Sequence, residues 1–283
     1  MIKIMPTPKE QGFFFPAEWH KHTSTWLSYP HNEASFPDKI QTIFPFYNQF
    51  VKQISKGEVV NINVLDQNMQ SAVAEQLLAI GTDLNNIVFH HFKTNDAWCR
   101  DHGPAFVING KQKAIVDWNY NAWGGKYPFD KDNLIPSKIA DYLNLPVFKP
   151  DIVMEGGSVD FNGKGSVLTT TACLLNPNRN PSLSQQQIEE KLSDYYGIEN
   201  IIWLSDGIVG DDTDGHIDDI ARFVDKDTII TVIEKDKSDD NYAILQQNLS
   251  LLSKARLENG KQPTIATLPM PQPVIWDNQR LPA

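Results

Sequence analysis

The chain is poor in cysteine and has no long apolar run. Cys99 and Cys173 are the two cysteines among 283 residues, too few for a disulfide framework. No stretch of 18 apolar residues occurs, which argues against a membrane-spanning helix. The first residues also lack the apolar segment of a secretory signal. These absences lead us to expect a cytoplasmic protein with no membrane partner.

Basic residues are also scarce. Lysine and arginine number 25 against 35 aspartates and glutamates, a formal net charge of −10. Nucleic-acid binding requires a basic surface, so no nucleic-acid partner is expected. The glycine-rich loops that bind nucleotide phosphates are absent as well. Acidic charge is concentrated in residues 205–240, which indicates either a solvated loop or a site for a cation.

The order of predicted elements indicates an α/β fold in one domain, residues 1–283. Apolar residues make up 41% of the chain, enough for a globular core, and no low-complexity linker divides it. Apolar periodicity predicts helices at 39–55, 68–80, 134–143, 184–196 and 240–257. Short β-rich runs lie between them, among them 59–64, 105–108, 114–116, 166–169, 200–203 and 228–232. The order hairpin, helix, strand recurs.

Three polar clusters contain the residues suited to chemistry. They lie at 94–104, 154–160 and 210–223. In the last cluster His216 and Asp218 have the spacing of a strand, which predicts side chains on one face and an acid–base pair; a structural histidine is the alternative. The clusters offer several carboxylates and one histidine, a set that suits a planar organic cation such as a guanidinium.

At these clusters the chain resembles the agmatine deiminase and Porphyromonas-type peptidylarginine deiminase family. The resemblance runs from about Trp26 to Ala283. It rests on five ordered motifs: Asn95-Asp96-x-Trp98-x-Arg100-Asp101-x-Gly103-Pro104, Asn121-Ala122-Trp123-Gly124-Gly125-Lys126, Glu155-Gly156-Gly157-Ser158, Leu174-Leu175-Asn176-Pro177-Asn178-Arg179-Asn180-Pro181 and Gly215-His216-Ile217-Asp218-Asp219-x-Ala221-Arg222-Phe223.

The resemblance implies a five-bladed α/β propeller, the pentein fold of ββαβ-type units. It also implies that a thiolate attacks the guanidinium carbon, with no metal and no cofactor. The residue roles that it implies are a general acid/base at His216, a supporting carboxylate at Glu155, guanidinium-binding carboxylates at Asp96 and Asp218, and further substrate contacts at Asp212, Trp98 and Trp123.

One part of the family pattern is missing. The nucleophilic cysteine of the family lies in a Gly-Gly-Gly-Asn-x-His-Cys motif near the C-terminus, and no such motif occurs here. Neither Cys99 nor Cys173 matches it. We therefore expect the nucleophile and the last blade to lie beyond Ala283, and a chain that ends there to be inactive.

The activity expected first is hydrolysis of agmatine, a small cationic guanidine, to N-carbamoylputrescine and ammonia. A peptidyl- or free-arginine deiminase of the same fold is an alternative, although no basic residue for an α-carboxylate is evident. A metal-dependent amidohydrolase using His20, His22 and His216 is another. A non-catalytic guanidinium binder and a homo-oligomer are also left open.

Overall fold

The computed structural model describes residues 6–282, which form a mixed α/β fold of four three-stranded sheets and one two-stranded sheet. The first sheet is wholly parallel, with the strand order β1-β2-β3. A helix connects each successive pair of its strands, as parallel strands require. These elements are β1 (Ser24–Ser28), α1 (Ile40–Ile54), β2 (Val59–Asn63), α2 (Gln67–Ala79) and β3 (Ile87–His90).

The next three sheets repeat one unit. In each, two antiparallel strands form a hairpin, a helix follows, and the third strand pairs parallel with the second. The first unit comprises β4 (Ala105–Asn109), β5 (Gln112–Val116), α5 (Ile135–Leu143) and β6 (Val147–Phe148). The second comprises β7 (Asp160–Phe161), β8 (Ser166–Thr170), α7 (Gln185–Tyr196) and β9 (Asn200–Leu204). The third comprises β10 (Ala221–Phe223), β11 (Thr228–Ile233), α8 (Tyr242–Lys254) and β12 (Thr264–Pro269).

The remaining elements are short. Two single-turn helices lie in the connections, α3 (Cys99–His102) and α6 (Thr171–Leu174), and the segment α4 (Ala122–Gly125) is a tight turn of left-handed backbone. The two-stranded sheet, β13 (Ile275–Trp276) with β14 (Gln279–Arg280), follows the last unit. Between residues 6 and 282, every helix is too short or too polar to cross a lipid bilayer.

The local signals in the sequence agree with these elements. Each of the five predicted helices is confirmed to within three residues of its ends, and the recurring hairpin, helix and strand are confirmed. In α7, Ser184 and Gln187 form a capping box, and Ile188, Leu192 and Tyr196 form its buried face. The helix therefore begins where its side chains satisfy the first backbone N–H groups.

The repeat also explains why the three polar clusters meet. Residues 94–104 precede β4, residues 154–159 precede β7, and residues 210–220 precede β10. They occupy equivalent positions in three successive units, and the turns at 99–102, 156–158 and 217–219 contact one another. Segments more than 100 residues apart in sequence are thereby brought to one place.

One local prediction is wrong. His216 and Asp218 do not lie in a strand: Ile217–Asp219 is a 3-10 turn preceded by His216, and β10 begins only at Ala221. The two side chains still converge, because the turn aims both at the neighbouring loops.

Candidate active site

Gly157 is a point of close approach between the three loops. A Cβ atom on this residue would lie 2.4 Å from His216 Nδ1 and 2.6 Å from Asp101 Oδ1, so a side chain there would displace both groups. With glycine, the backbone N–H of Gly157 donates to Asp101 Oδ1 at 2.9 Å. The two glycines after Glu155 therefore serve close packing at the site.

His216 lies between carboxylates. Its side chain is almost completely buried, and its Nδ1 is 3.6 Å from Asp101 Oδ1 and 3.9 Å from Asp218 Oδ1. Burial alone would lower the pKa of His216, but the negative charge of Asp101, together with contacts to Cys173 and Glu155, raises that pKa well above 6.5. The imidazole is thus held in its protonated, proton-donating form.

The other ring nitrogen of His216 faces Glu155. The distance from His216 Nε2 to Glu155 Oε2 is 3.9 Å. Glu155 Oε1 accepts a hydrogen bond from Arg179 Nε at 2.7 Å, and neither side chain is exposed to solvent. The Arg179 guanidinium thereby compensates a carboxylate that would otherwise be buried without a partner.

Arg179 also ties Glu155 to the acidic loop that leads to His216. Its Nη1 donates to Asp214 Oδ2 at 2.5 Å, and its Nη2 donates to the carbonyl of Thr213 at 2.9 Å. Lys126 Nζ binds the other oxygen of Asp214 at 2.9 Å. Part of the acidic run at 205–240 is therefore paired inside the protein and is not a solvated loop.

A pocket of about 340 Å³ lies beside this charged cluster. Trp123 belongs to both, since it lines the pocket and its indole Nε1 donates to Asp101 Oδ2 at 3.1 Å. Asp96 Oδ2 accepts hydrogen bonds from Ser35 and from Asn32. The lining residues include His31, Asn32, Asp96, Tyr120, Trp123, Tyr127, Lys131 and Asp132. An aromatic and carboxylate lining of this size suits a small organic cation.

The residues expected from the sequence fall into three places. The charged cluster brings together His216, Glu155 and Asp218, whereas Asp96 and Trp123 line the adjacent pocket. Asp212 lies at the pocket rim and accepts a hydrogen bond from Tyr127 at 2.6 Å.

Trp98, for which the resemblance implies a substrate contact, lies beside the pocket and is not one of its lining residues. It is 43% exposed and packs edge-on against Trp123, with ring centroids 6.5 Å apart. The reason is that Trp98 ends the loop just before α3 and faces outward there.

Asp101 and Arg179 are the residues of the cluster that sequence reasoning missed. Although Asp101 directly follows Arg100 in sequence, the two do not pair: Arg100 pairs with Glu18 and Asp218, and Asp101 with Gly157 and Trp123. Arg179 could have been suspected from the sequence, because an arginine within a polar motif of an acidic chain is expected to pair with a carboxylate. The sequence does not indicate which carboxylate.

The two cysteines do not resemble activated nucleophiles. Cys173 is fully buried in α6, directly after β8, and Cys99 lies in α3. Burial raises the pKa of both thiols, so both are held in the protonated form.

The histidines of the metal-dependent alternative are not assembled around one site. His20 and His22 are exposed, and His22 Nδ1 contacts Glu58 at 3.4 Å. In the described part of the chain, the group of side chains that could hold a metal ion is Glu155, Cys173 and His216. Thus His20 and His22 do not join His216 as ligands.

Known proteins share both the sequence and the fold. Residues 14–283 match the Porphyromonas-type peptidyl-arginine deiminase family. The agmatine deiminase of Ectopseudomonas mendocina is 34% identical over 97% of this chain and 75% of its own length.

Two solved structures superimpose closely. The agmatine deiminase of Enterococcus faecalis has a TM-score of 0.90 and 33% identity, covering 98% of this chain and 77% of that one. A Cys-to-Ser variant of the C. jejuni agmatine deiminase, solved with substrate bound, has a TM-score of 0.86 and 35% identity, covering 96% and 78%. The chain therefore belongs to the Porphyromonas-type peptidyl-arginine deiminase family.

Proposed function

We propose that this protein is an agmatine deiminase, which hydrolyses agmatine to N-carbamoylputrescine and ammonia. The observation that carries the proposal is a buried His216 between Asp101 and Glu155, next to a pocket lined by carboxylate and aromatic groups. The agmatine deiminases among the similar proteins support the same reaction and the same small cationic partner.

In this proposal the carboxylates of Asp96 and Asp218 bind the guanidinium. A guanidinium carries five N–H donors in a fixed plane, and two carboxylates accept them with charge-assisted hydrogen bonds. Trp123 supplies an aromatic surface against the cation. The primary ammonium of agmatine then lies toward the rim, where Asp212 and Tyr127 offer oxygen atoms.

The chemistry needs a thiolate, an acid and a base. The thiolate adds to the guanidinium carbon, and His216 protonates the departing nitrogen, which leaves as ammonia. His216 then removes a proton from water, whose oxygen attacks the amidino-thioether and releases the ureido product and the thiol. Glu155 keeps His216 oriented and compensates its charge. No step uses a metal or a cofactor.

The nucleophile in this proposal lies outside residues 6–282. Cys99 and Cys173 have thiols whose pKa values are raised by burial, the opposite of an activated cysteine. The C. jejuni relative with substrate bound carries serine in place of a cysteine, as expected if cysteine drives turnover. In the same proposal the protein is one cytoplasmic domain, a five-bladed propeller whose last blade lies beyond Ala283.

Free arginine is the second candidate substrate, because Lys131 lines the pocket. Its ammonium is the basic group that an α-carboxylate would require. The comparison of kcat/KM for agmatine and for L-arginine decides between them. If arginine is the substrate, Lys131→Ala selectively lowers the value for arginine.

Ammonia release from agmatine by the intact enzyme tests the proposed reaction. His216→Ala is expected to lower kcat by about 10²–10⁴-fold, the usual effect of losing an acid/base group. The matched control is His20→Ala, since His20 is exposed and is not part of the charged cluster. Near-normal kcat in folded His216→Ala, or activity that requires added zinc after chelation, would contradict the mechanism.

A further inference from the structure

We propose that Cys173, His216 and Glu155 form a binding site for a thiophilic divalent cation such as Zn²⁺ or Cd²⁺, and that the ion inhibits the enzyme by occupying His216. The inhibitory part rests on the proposed function, whereas metal binding does not.

The three donors converge from three different elements. One potential ligand atom from each lies within 4.8 Å of the others, and all three residues are buried. Glu155 Oε2 is 3.9 Å from His216 Nε2 and 4.0 Å from Cys173 Sγ. Metal–ligand bonds of about 2.0–2.3 Å at tetrahedral angles separate ligands by roughly 3.5 Å. Small side-chain movements therefore close the site around an ion.

The three atoms that face one another, Glu155 Oε2, His216 Nε2 and Cys173 Sγ, are also the atoms that remain available to bind a metal ion. Arg179 binds Glu155 through Oε1, leaving Oε2 toward the other two donors. His216 Nε2 is buried and has no hydrogen-bond partner among residues 6–282. Cys173 Sγ lies 4.0 Å from Glu155 Oε2 and 4.0 Å from Arg179 Nη2, and it also neighbours His216. A thiolate, an imidazole and a carboxylate are the ligand types that zinc prefers.

The charge around the site favours a dication. Asp101 and Asp218 flank His216 on its other face, and the positive charge of Arg179 is already offset by Asp214 at 2.5 Å. The shorter contacts of the Arg179 guanidinium are to Glu155 Oε1 at 2.7 Å and to Asp214, whereas its Nη2 is 4.0 Å from Cys173 Sγ.

Metal binding and catalysis exclude each other. To bind the ion, the Cys173 thiol and His216 Nε2 each release a proton to solvent, and S–metal and N–metal bonds form. A His216 whose Nε2 is coordinated cannot protonate a leaving group through that atom. Trace zinc should therefore lower activity, and a chelator should restore it.

Cadmium titration tests the binding directly on this chain, without any need for turnover. Cadmium thiolates absorb in the ultraviolet through ligand-to-metal charge transfer. We expect the band to saturate at one ion per chain, to disappear in Cys173→Ser and to persist in Cys99→Ser. The absence of a band, or its loss in Cys99→Ser with retention in Cys173→Ser, would overturn the proposal.

A second variant guards against misfolding of Cys173→Ser. His216→Ala keeps the thiol and removes one ligand, so the band should persist while the affinity for Cd²⁺ falls at least about 10-fold. Unchanged affinity would overturn the site. A normal band from the intact enzyme, including the residues beyond Ala283, together with no turnover of agmatine by that enzyme, would support the metal site and reject the proposed function, which separates the two.

Discussion

Arg179 and Glu155 form an ion pair in which Nε and Oε1 are 2.7 Å apart and neither side chain is exposed to solvent. The same guanidinium binds Asp214 and the carbonyl of Thr213. A single buried arginine therefore positions both the carboxylate that faces His216 and the loop that leads to it. Removing these charges from water costs free energy that offsets most of their attraction. The main role of the pair is therefore to position Glu155 and the loop before His216, and not to stabilise the fold.

Removal of Arg179 should destabilise the protein strongly. In Arg179→Met the Glu155 carboxylate remains buried without its partner, and breaking such a pair costs roughly 3–5 kcal/mol. Urea unfolding measures the change. The control is Arg256→Met at an exposed arginine, where a change within about 0.5 kcal/mol is expected. Equal stabilities of the two variants would show that the ion pair does not matter.

Asp101→Asn should move the titration of His216 to lower pH. The pKa of His216 in the folded protein lies well above 6.5, largely because of Asp101. Its charged form therefore stabilises the folded state fully below about pH 6.5, and this contribution is lost as pH rises through the folded-state pKa. With asparagine, the loss should occur at lower pH. NMR titration of the imidazole reports the shift, and an unchanged midpoint would assign the effect to other groups.

Gly157→Ala should disable the site without a change of charge. The added methyl group would lie 2.4 Å from His216 Nδ1 and 3.0 Å from Asp218 Oδ2, so the catalytic groups must move. A displacement of about 1 Å costs on the order of 10²-fold in rate. Gly57→Ala is the control, since its nearest neighbour would be 3.9 Å away. Agmatine kinetics should separate the two, and similar rates would argue against close packing at Gly157.

Asp96→Asn and Asp218→Asn should each weaken binding of the cationic transition state. Each change removes a charge-assisted contact worth about 2–4 kcal/mol, or roughly 30- to 1000-fold in kcat/KM. Asp227→Asn, at a carboxylate whose side chain is 44% exposed, should leave kcat/KM unchanged. If one of the two site variants matches this control, that residue does not bind the guanidinium.

Much of the local structure follows from signals a few residues apart. The capping box at Ser184 sets the start of α7, and the Asn109-Gly110-Lys111 turn forms the hairpin between β4 and β5. Such signals act within one turn of chain, so they survive without knowledge of the fold. The prediction of a strand at His216 and Asp218 was wrong because their two-residue spacing is not specific to strands. A 3-10 turn also brings the two side chains together.

The acidic charge, the hairpin–helix–strand order and the motifs that carry Asp96, Glu155 and His216 can all be read from the amino-acid sequence. The contacts between these motifs depend on the folded chain. Asp101 meets Gly157 and His216, and Arg179 meets Glu155, because equivalent loops of successive units pack together. The pKa of His216 depends on these neighbours and on burial, and both come from contacts between residues far apart in the chain, which no local pattern encodes.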